Sequence, residues 1–428
     1  MKKLSVMLIV ACLGTALFFA WDVFAQEEGQ EENVFEPFYF PYTPESDNWF
    51  QPIYHPYDTP DEKPVFSPFI SVRQMYDDNI FLTDDDKRDD WITTVNPGFR
   101  FEPRLKKHGF YFDYLADLNF YADYDDQNNF NHLANIAGKL DITKKARIDL
   151  YDRFSYFSEQ SGSEDTNRID RTQNLGQGNL TFMFNKLDLT LGYENRYEDY
   201  RSDDAIGPLN GVPLTYNDLD RVENEGAVEA ALKLWKKTAL LLTMDYGTID
   251  HDTGNKNDSD YFDFLVGLRG QPTAKCVAEA RIGYRDQDYD DFEDFSSVVF
   301  DGSIIENFTP RDSLRLDLKR TTNDTIYTDN VYFESTYIGA GYKHGFTERL
   351  FGHIGMSYQL NYYPIETTEG DQTDNREDDF WSYGAGITYV FPKNFVAELK
   401  YQFRTRDSNF SIYDYENSRI NASITGTF

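Results

Sequence analysis

Apolar and polar side chains alternate along most of this chain with a period of two. Near the C-terminus, Ile420, Ala422 and Ile424 lie on one face of such a run. Asn421 and Ser423, which stand between them, lie on the other face. This alternation is typical of a β-strand whose two faces meet different surroundings. Most of the runs are long enough to cross a membrane, which takes roughly 9–11 residues for a tilted strand.

The alternating runs predict the positions of the strands. The predicted strands are 68–77, 91–105, 110–122, 131–143, 147–158, 172–185, 187–199, 221–235, 239–250, 260–271, 276–286, 296–308, 314–322, 331–345, 350–362, 380–391, 395–406 and 418–428. They number about 18, within an expected range of about 16–18, and single-chain bacterial barrels have an even number of strands.

The connections between these strands are alternately short and long. The short ones are basic, such as Lys106–Gly109 and Lys144–Ala146, while the longest lie at 201–220, 363–379 and 158–171 and the long loops are acidic. Outer-membrane barrels have short periplasmic turns and long outer loops. An even strand count therefore predicts that both chain ends lie in the periplasm.

The membrane requires the sheet to close. In hydrocarbon every backbone N–H and C=O needs a partner within the protein, so an open sheet edge is excluded. A soluble β-sandwich would also alternate, but charges of both signs in mid-strand and the large strand number argue against it. We predict an all-β fold, a transmembrane up-and-down antiparallel β-barrel, in which about 18 strands enclose an aqueous lumen.

Two segments precede the predicted barrel, which takes residues 65–428. Residues 1–25 have a basic start, an apolar run and the small-residue site Val23-Phe24-Ala25, the pattern of a cleaved signal peptide. Residues 26–64 are rich in proline, acidic and aromatic residues. Because proline disrupts ladder pairing, we interpret them as a periplasmic leader, which is either a linker or a plug for the lumen.

Composition and charge limit the candidate chemistry. The 428-residue chain is 17% aromatic and has a formal net charge of −33, so we expect no nucleic-acid partner. Of its 2 cysteines, Cys12 lies in the predicted signal peptide, so Cys276 is left without a disulfide partner.

The 6 histidines stand beside no motif-like serine, and no G-x-S-x-G, H-E-x-x-H or phosphate-loop pattern occurs. We expect no enzyme activity, no catalytic residue, no cofactor and no dedicated metal site; the acidic outer loops suit only loosely bound divalent cations.

The polar faces of the predicted strands carry charges of both signs. The candidate lumen-lining residues are Arg73, Arg100, Arg104, Asp113, Asp117, Arg153, Glu194, Arg196, Glu223, Glu225, Arg281, Arg285, Arg315, Lys400 and Arg404. Two interpretations are open and compatible: the charges form cross-strand ion pairs that stiffen the wall, or they line a path for a solute.

One stretch resembles a known family. Residues 72–101 contain Tyr76-Asp77-Asp78-Asn79-Ile80-Phe81, then Asp90, then Pro97-Gly98, and resemble the opening of the putative β-barrel porin 2 family. The resemblance implies a porin-like barrel, often associated with exopolysaccharide export. From the residue types themselves, Asp77, Asp78 and Asn79 are expected to end the first strand and begin a loop. Pro97-Gly98 is expected to mark a bulge in the second strand.

These patterns together predict an outer-membrane, porin-like channel for hydrophilic solutes in a Gram-negative cell envelope. The family resemblance implies exopolysaccharide export or secretion as a further expectation. The alternatives are a non-conducting barrel that interacts at the cell surface and a barrel enzyme. The expected partners are outer-membrane lipid, lipopolysaccharide, the barrel-assembly machinery and polysaccharide export proteins. The terminal Phe428 resembles the assembly signal of outer-membrane proteins.

Overall fold

A computed structural model of the chain describes residues 65–160, 168–202, 204–209, 212–253, 255–290, 292–325, 330–369 and 371–428. The predicted signal peptide and leader, residues 1–64, lie outside the described residues. The strands are β1 (Phe66–Asp77), β2 (Asp90–Phe101), β3 (Gly109–Tyr121), β4 (Asn129–Thr143), β5 (Ala146–Gln160), β6 (Arg168–Met183), β7 (Leu187–Tyr200), β8 (Ala205–Leu209), β9 (Val212–Thr215), β10 (Arg221–Trp235), β11 (Thr238–His251), β12 (Ser259–Gly270), β13 (Cys276–Tyr289), β14 (Phe295–Thr309), β15 (Asp312–Asp324), β16 (Tyr332–Gly345), β17 (Leu350–Glu369), β18 (Gln372–Val390), β19 (Phe395–Ser408) and β20 (Tyr415–Thr427).

All strands except β8 and β9 form one closed antiparallel sheet of 18 strands. Each of them pairs with its neighbour along the chain, β10 pairs with β7, and β1 pairs with β20 to close the ring. The prediction of an all-β, up-and-down barrel of 18 strands is therefore confirmed. The short helical segments are 3-10 turns at Asp125–Gln127, Tyr216–Leu219 and Ser411–Tyr413. Within the described ranges, no helix is long and apolar enough to cross a membrane.

Strand β12 shows how the sequence builds this wall. Phe262 and Phe264 point to the outside and are 46% and 40% exposed. Tyr261, Asp263 and Leu265 alternate with them and are buried on the other face. Adjacent side chains of a strand point to opposite faces of the sheet, so one sequence pattern gives an apolar outer surface and a partly polar inner one. The exposed apolar row fits a surface that lipid covers.

The two ends of the barrel differ in their connections. At one end, which we call the turn rim, β4 and β5 are joined by residues 144–145 and β14 and β15 by 310–311. The opposite end, the loop rim, carries the long connections, including residues 201–220 with the β8–β9 hairpin. Phe69 of β1 pairs with Thr427 of β20, so the barrel begins and ends at the turn rim.

The largest departure from the sequence prediction lies at the loop rim. Residues 363–379 were expected to form a long connection, but β17 continues to Glu369 and β18 starts at Gln372, with a register shift after Tyr362. The expectation is wrong because strands that extend beyond a membrane meet water on both faces and need no apolar alternation. For the same reason the hairpin of β8 and β9 was not predicted from the pattern of side chains. At the turn rim, β2 ends at Phe101 rather than at residue 105.

Candidate functional site

Contacts between strands that are not neighbours identify the inner face of the wall. Glu229 of β10 forms an ion pair with Arg281 of β13, at 2.7 Å between Oε2 and Nη2, and another with Arg269 of β12 at 3.1 Å. Adjacent strands are about 4.8 Å apart, so the backbones of β10 and β13 are separated by about 14 Å. Two side chains can bridge that distance only on the concave side of a curved sheet, because side chains converge on that side. The charged faces of these strands therefore point to the inside of the barrel.

On this inner face, two residues that the sequence did not predict, Tyr261 and Asp263, link the predicted residues Glu225 and Arg285. Arg285 donates to both carboxylate oxygens of Asp263, at 2.8 and 2.7 Å, and its guanidinium lies 4.1 Å from the centre of the Tyr261 ring. The Tyr261 hydroxyl donates a 2.7 Å hydrogen bond to Glu225. A two-pronged guanidinium–carboxylate contact fixes both side chains in orientation as well as distance.

A second charged group joins β7 to β10. Arg196 contacts Glu194 at 3.2 Å and Glu223 at 3.3 Å, so three of the predicted residues meet. Arg221 contacts Glu223 at 2.8 Å and the buried Glu198 at 3.0 Å. Pairing of this kind offsets the cost of removing each charge from water.

The remaining predicted lumen residues make more local contacts. These are Arg100 with Asp113 (Nη2–Oδ2, 2.8 Å), Asp117 with Asn96, Arg73 with Thr94 (3.1 Å), Arg315 with Asp317 (2.7 Å), Lys400 with Glu398 (2.8 Å) and Arg404 with Asn417 (3.0 Å). The buried Nε of Arg153 has no hydrogen-bond partner among the described residues. Arg104 lies exposed in the turn after β2. That this set lines a solute path stays a prediction.

Several members of the inner charged groups were not predicted from the sequence. They are Glu198, Arg221, Asp263, Arg269, Glu279 and Asp301. The signal that could have found some of them is the period-two pattern of β12, where Asp263 and Arg269 stand on the face opposite Phe262 and Phe264. Their partners on other strands depend on the pairing register, which a single sequence does not show.

The family-like motif at the end of β1 joins the first strand to the last. Asp77 is 1% exposed and accepts hydrogen bonds from the side chains of Asn417 at 2.6 Å and Arg419 at 2.7 Å, both on β20. Asn79 donates to the carbonyl oxygen of Glu416 at 2.8 Å. Strand β1 ends at Asp77, as the sequence predicted. These residues thus also hold the barrel closed at the loop rim.

Asp78 completes this arrangement by accepting the backbone N–H of Ser418 at 2.6 Å. We call the group the closure cluster; it consists of Asp77, Asp78, Asn79, Asn417 and Arg419.

Asp90, the next motif residue, anchors a neighbouring loop. It is 1% exposed and accepts the backbone N–H groups of Ala122, Asp123 and Tyr124, each at 3.1 Å. Successive N–H groups that converge on one carboxylate form an anion-binding concavity of the backbone. This contact holds the β3–β4 loop against the start of β2.

Pro97-Gly98 interrupts a ladder without forming a bulge. Pairing of β2 with β3 stops after Val95 and resumes at Gly98 in the same register. The predicted bulge is therefore wrong: Pro97 cannot donate to the ladder, but no extra residue is inserted. Gly98 is required by space, because a Cβ atom there would lie 2.6 Å from the carbonyl oxygen of Tyr114.

At the turn rim, the chain end is tied to its neighbours. The Phe428 N–H donates to the carbonyl oxygen of Pro68 at 2.9 Å, and the ring meets Phe395 edge-on. Its role as an assembly signal stays a prediction.

Among the residues with described side chains, no group of three or more His, Cys, Asp or Glu could hold a metal ion. Loose cation binding at the acidic loops also stays a prediction.

A closed 18-stranded barrel with an exposed apolar outer face and an ionised inner face defines a class: a membrane-spanning β-barrel of porin type. The sequence profile of the family described as "Putative beta-barrel porin 2" matches residues 64–428. The chain belongs to this family and is an outer-membrane β-barrel. The resemblance noted at Tyr76–Gly98 is thereby confirmed.

Several solved structures are similar to this chain at low sequence identity. The outer membrane protein OpdK from Pseudomonas aeruginosa is 13% identical, with a TM-score of 0.46 and coverage of 85% of this chain and 99% of that chain. OpdQ from the same organism is 16% identical, with a TM-score of 0.44 and coverage of 85% and 98%. A BenF-like porin from Pseudomonas fluorescens Pf-5 is 14% identical, with a TM-score of 0.45 and coverage of 85% and 99%. No curated protein matches the chain.

Proposed function

We propose that this barrel is a passive channel through which hydrophilic solutes cross the outer membrane. The observation that carries the proposal is the ionised inner wall, where Glu229, Arg269 and Arg281 meet from three different strands. Ionised groups are costly to hold away from water, even in pairs. Such a wall is expected around a water-filled lumen, which at about 18 strands is wide enough for solutes.

The proposal includes an orientation. Residues 1–25 direct secretion and are removed, and residues 26–64 form a periplasmic leader. The turn rim faces the periplasm and the loop rim faces the exterior, which follows the usual asymmetry of bacterial barrels. Both ends of the barrel then lie on the periplasmic side.

Export of exopolysaccharide is a further prediction, and it rests on the family resemblance alone. A linear anionic polysaccharide added to one side of a conducting bilayer should reduce the current through the channel. The current could instead stay unchanged at concentrations at which binding of the polysaccharide to the barrel is saturated. That result would contradict the export hypothesis and leave the channel proposal intact.

Conductance in planar bilayers tests the channel directly. We expect stepwise current from the purified chain without residues 1–25, with a larger unitary conductance after deletion of residues 26–64 if that segment occupies the lumen. Because the barrel would be unchanged, circular dichroism of both proteins should show the same strand content. Absence of current from both proteins would reject the channel and favour the alternative of a non-conducting, surface-interacting barrel.

A further inference from the structure

The backbone ladder of the barrel is interrupted along one strand boundary near the loop rim. β14 and β15 are paired from the turn rim up to Phe300 and Arg320, where their ladder stops. Beyond this level β14 stays paired with β13, and β15 stays paired with β16. Segments 295–299 and 321–324 are thus not paired with each other, and we call this unpaired boundary the lateral slit.

Hydrogen bonds that involve side chains, rather than a backbone ladder, bridge the lateral slit. The carbonyl oxygen of Val298 accepts a 3.2 Å hydrogen bond from Nε of Arg320. Arg320 also contacts Glu334 at 2.8 Å, and Glu334 accepts a hydrogen bond from the hydroxyl of Ser297. The hydroxyl of Thr322 is buried without a hydrogen-bond partner in the described part of the chain. A bridge of this kind can open by rotation of side chains, with no loss of paired strand.

The lateral slit begins at the level of the membrane interface. Val298 is paired with Tyr284, which is 50% exposed on the outer surface, and Tyr246 is 53% exposed on the same side of the barrel. Rows of outward aromatic residues mark the membrane–water interfaces of barrels. On the inner side, Val299 is 5% exposed and belongs to the face that points into the barrel. The slit therefore lies in the part of the wall that separates the inner face from the leaflet at the loop rim.

We propose that the lateral slit is a side outlet between the lumen and the outer leaflet that admits an amphipathic molecule, a proposal that rests on the channel function above. A purely hydrophilic solute gains nothing from this route, because the acyl region beyond it excludes polar groups. An amphiphile, by contrast, has a part that suits the polar lumen and a part that suits the acyl region. The rings of Phe295 and Tyr332 stack across the slit with their centres 3.9 Å apart and belong to the same side-chain bridge. When the bridge opens, these rings face an apolar part of the molecule, and Arg320 and Glu334 face its polar head.

The first test asks whether the two strands are apart. In a Cys276→Ser background, the pair Val298→Cys with Thr322→Cys spans the slit. The control pair, Ile304→Cys with Leu316→Cys, lies in the intact ladder an even number of residues away, so it occupies the same kind of position in the strands. A disulfide needs Cα atoms within about 7 Å. On mild oxidation the ladder pair should form a disulfide rapidly and the slit pair should not. Equally rapid formation at both pairs would show a continuous ladder and overturn the proposal.

The second test asks whether an amphiphile reaches the inner face. A photoreactive benzoylphenylalanine replaces Val299, beside the slit, or Ser303, which points inward from the paired part of β14. In vesicles of phospholipid, which is the amphiphilic probe, we expect phospholipid adducts at position 299 and none at 303. Absence of adducts at 299 overturns the side outlet and leaves the channel intact. Adducts at both positions would mean that lipid fills the lumen, which rejects the channel itself.

The third test concerns the bridge. Arg320→Gln removes the charged contact with Glu334, and we expect the adduct yield at position 299 to rise about fivefold, as for the loss of one partly exposed ion pair. Arg311→Gln, in the exposed turn that joins the same two strands, is the matched control and should leave the yield unchanged. An unchanged yield in Arg320→Gln, or an equal rise in both variants, would overturn the role of the bridge.

Discussion

At the scale of single residues, buried carboxylates join parts of the chain that are distant in sequence. Asp77 and Asn417 are 340 positions apart, yet their side chains are 2.6 Å apart in the closure cluster. The residue types of the motif predicted that β1 ends here, because Asp and Asn favour turns. They could not reveal the partners on β20, since closure of the ring is what brings the two strands together.

Removal of the Asp77 carboxylate should destabilise the barrel. Asp77→Ala leaves Arg419, Asn417 and the backbone N–H of Asn79 without their acceptor, at an expected cost of about 2–4 kcal/mol in the free energy of unfolding. The measurement is the midpoint of the heat-induced mobility shift in detergent gels. Asp85→Ala, an exposed aspartate in the adjacent loop, is the control and should have the wild-type midpoint. Equal midpoints for both variants and the wild type would contradict a role in closure.

At the scale of elements, membrane-crossing strands follow from the sequence and the parts beyond the membrane do not. The alternation of Phe262 and Phe264 with Tyr261 and Asp263 predicted β12 to within one residue at each end. The outer part of the β17–β18 hairpin has no apolar face, so its sequence resembles a loop. The alternation reports the two environments of a strand and is lost where both faces meet water.

The connection between β9 and β10 should respond to pH. Asp220 accepts the N–H of Tyr200 at 2.6 Å, and burial raises the pKa of Asp220 from 3.8 to about 6, with a further contribution from Asp199 and Asp252. The folded loop therefore binds the proton more tightly than the unfolded one. This contribution to loop stability is complete below about pH 3.8 and is lost as pH rises through about 6.

Amide hydrogen exchange of residues 216–219 measures the effect. After correction for intrinsic rates, protection in the wild type should be greater at pH 5 than at pH 7.5. In Asp220→Asn the side chain does not titrate, so protection should be the same at both values. Greater protection of the wild type at pH 7.5 would contradict the sign derived from the raised pKa.

At the scale of the whole molecule, the pairing register decides which charges meet. The sequence predicted that Glu225, Arg281 and Arg285 share the inner face, but not that Arg281 reaches Glu229 across three strand positions. Such contacts depend on the curvature of the closed sheet and on the stagger of its strands. The inner wall is therefore predictable as a set of residues, whereas its network of pairs is not.

The charge of the inner wall should affect ion selectivity. Glu229→Gln removes a carboxylate that Arg269 and Arg281 share, so the lumen becomes more positive. We expect the chloride-to-potassium permeability ratio to rise by roughly twofold, measured from the reversal potential in a KCl gradient. Glu306→Gln, on the opposite face of β14 from Asp301, should leave the ratio unchanged. A larger shift in Glu306→Gln than in Glu229→Gln would contradict the assignment of faces.

The most direct test of the account is a nitroxide scan along β12 in a lipid bilayer, because the central claim is that lipid covers one face of each strand and water meets the other. Single labels at residues 260–268 report collisions with oxygen, which concentrates in lipid, and with a polar nickel complex, which stays in water. We predict oxygen maxima at Phe262, Phe264, Val266 and Leu268, and nickel maxima at the positions between them. Equal values along the strand, or the opposite phase, would contradict the central claim.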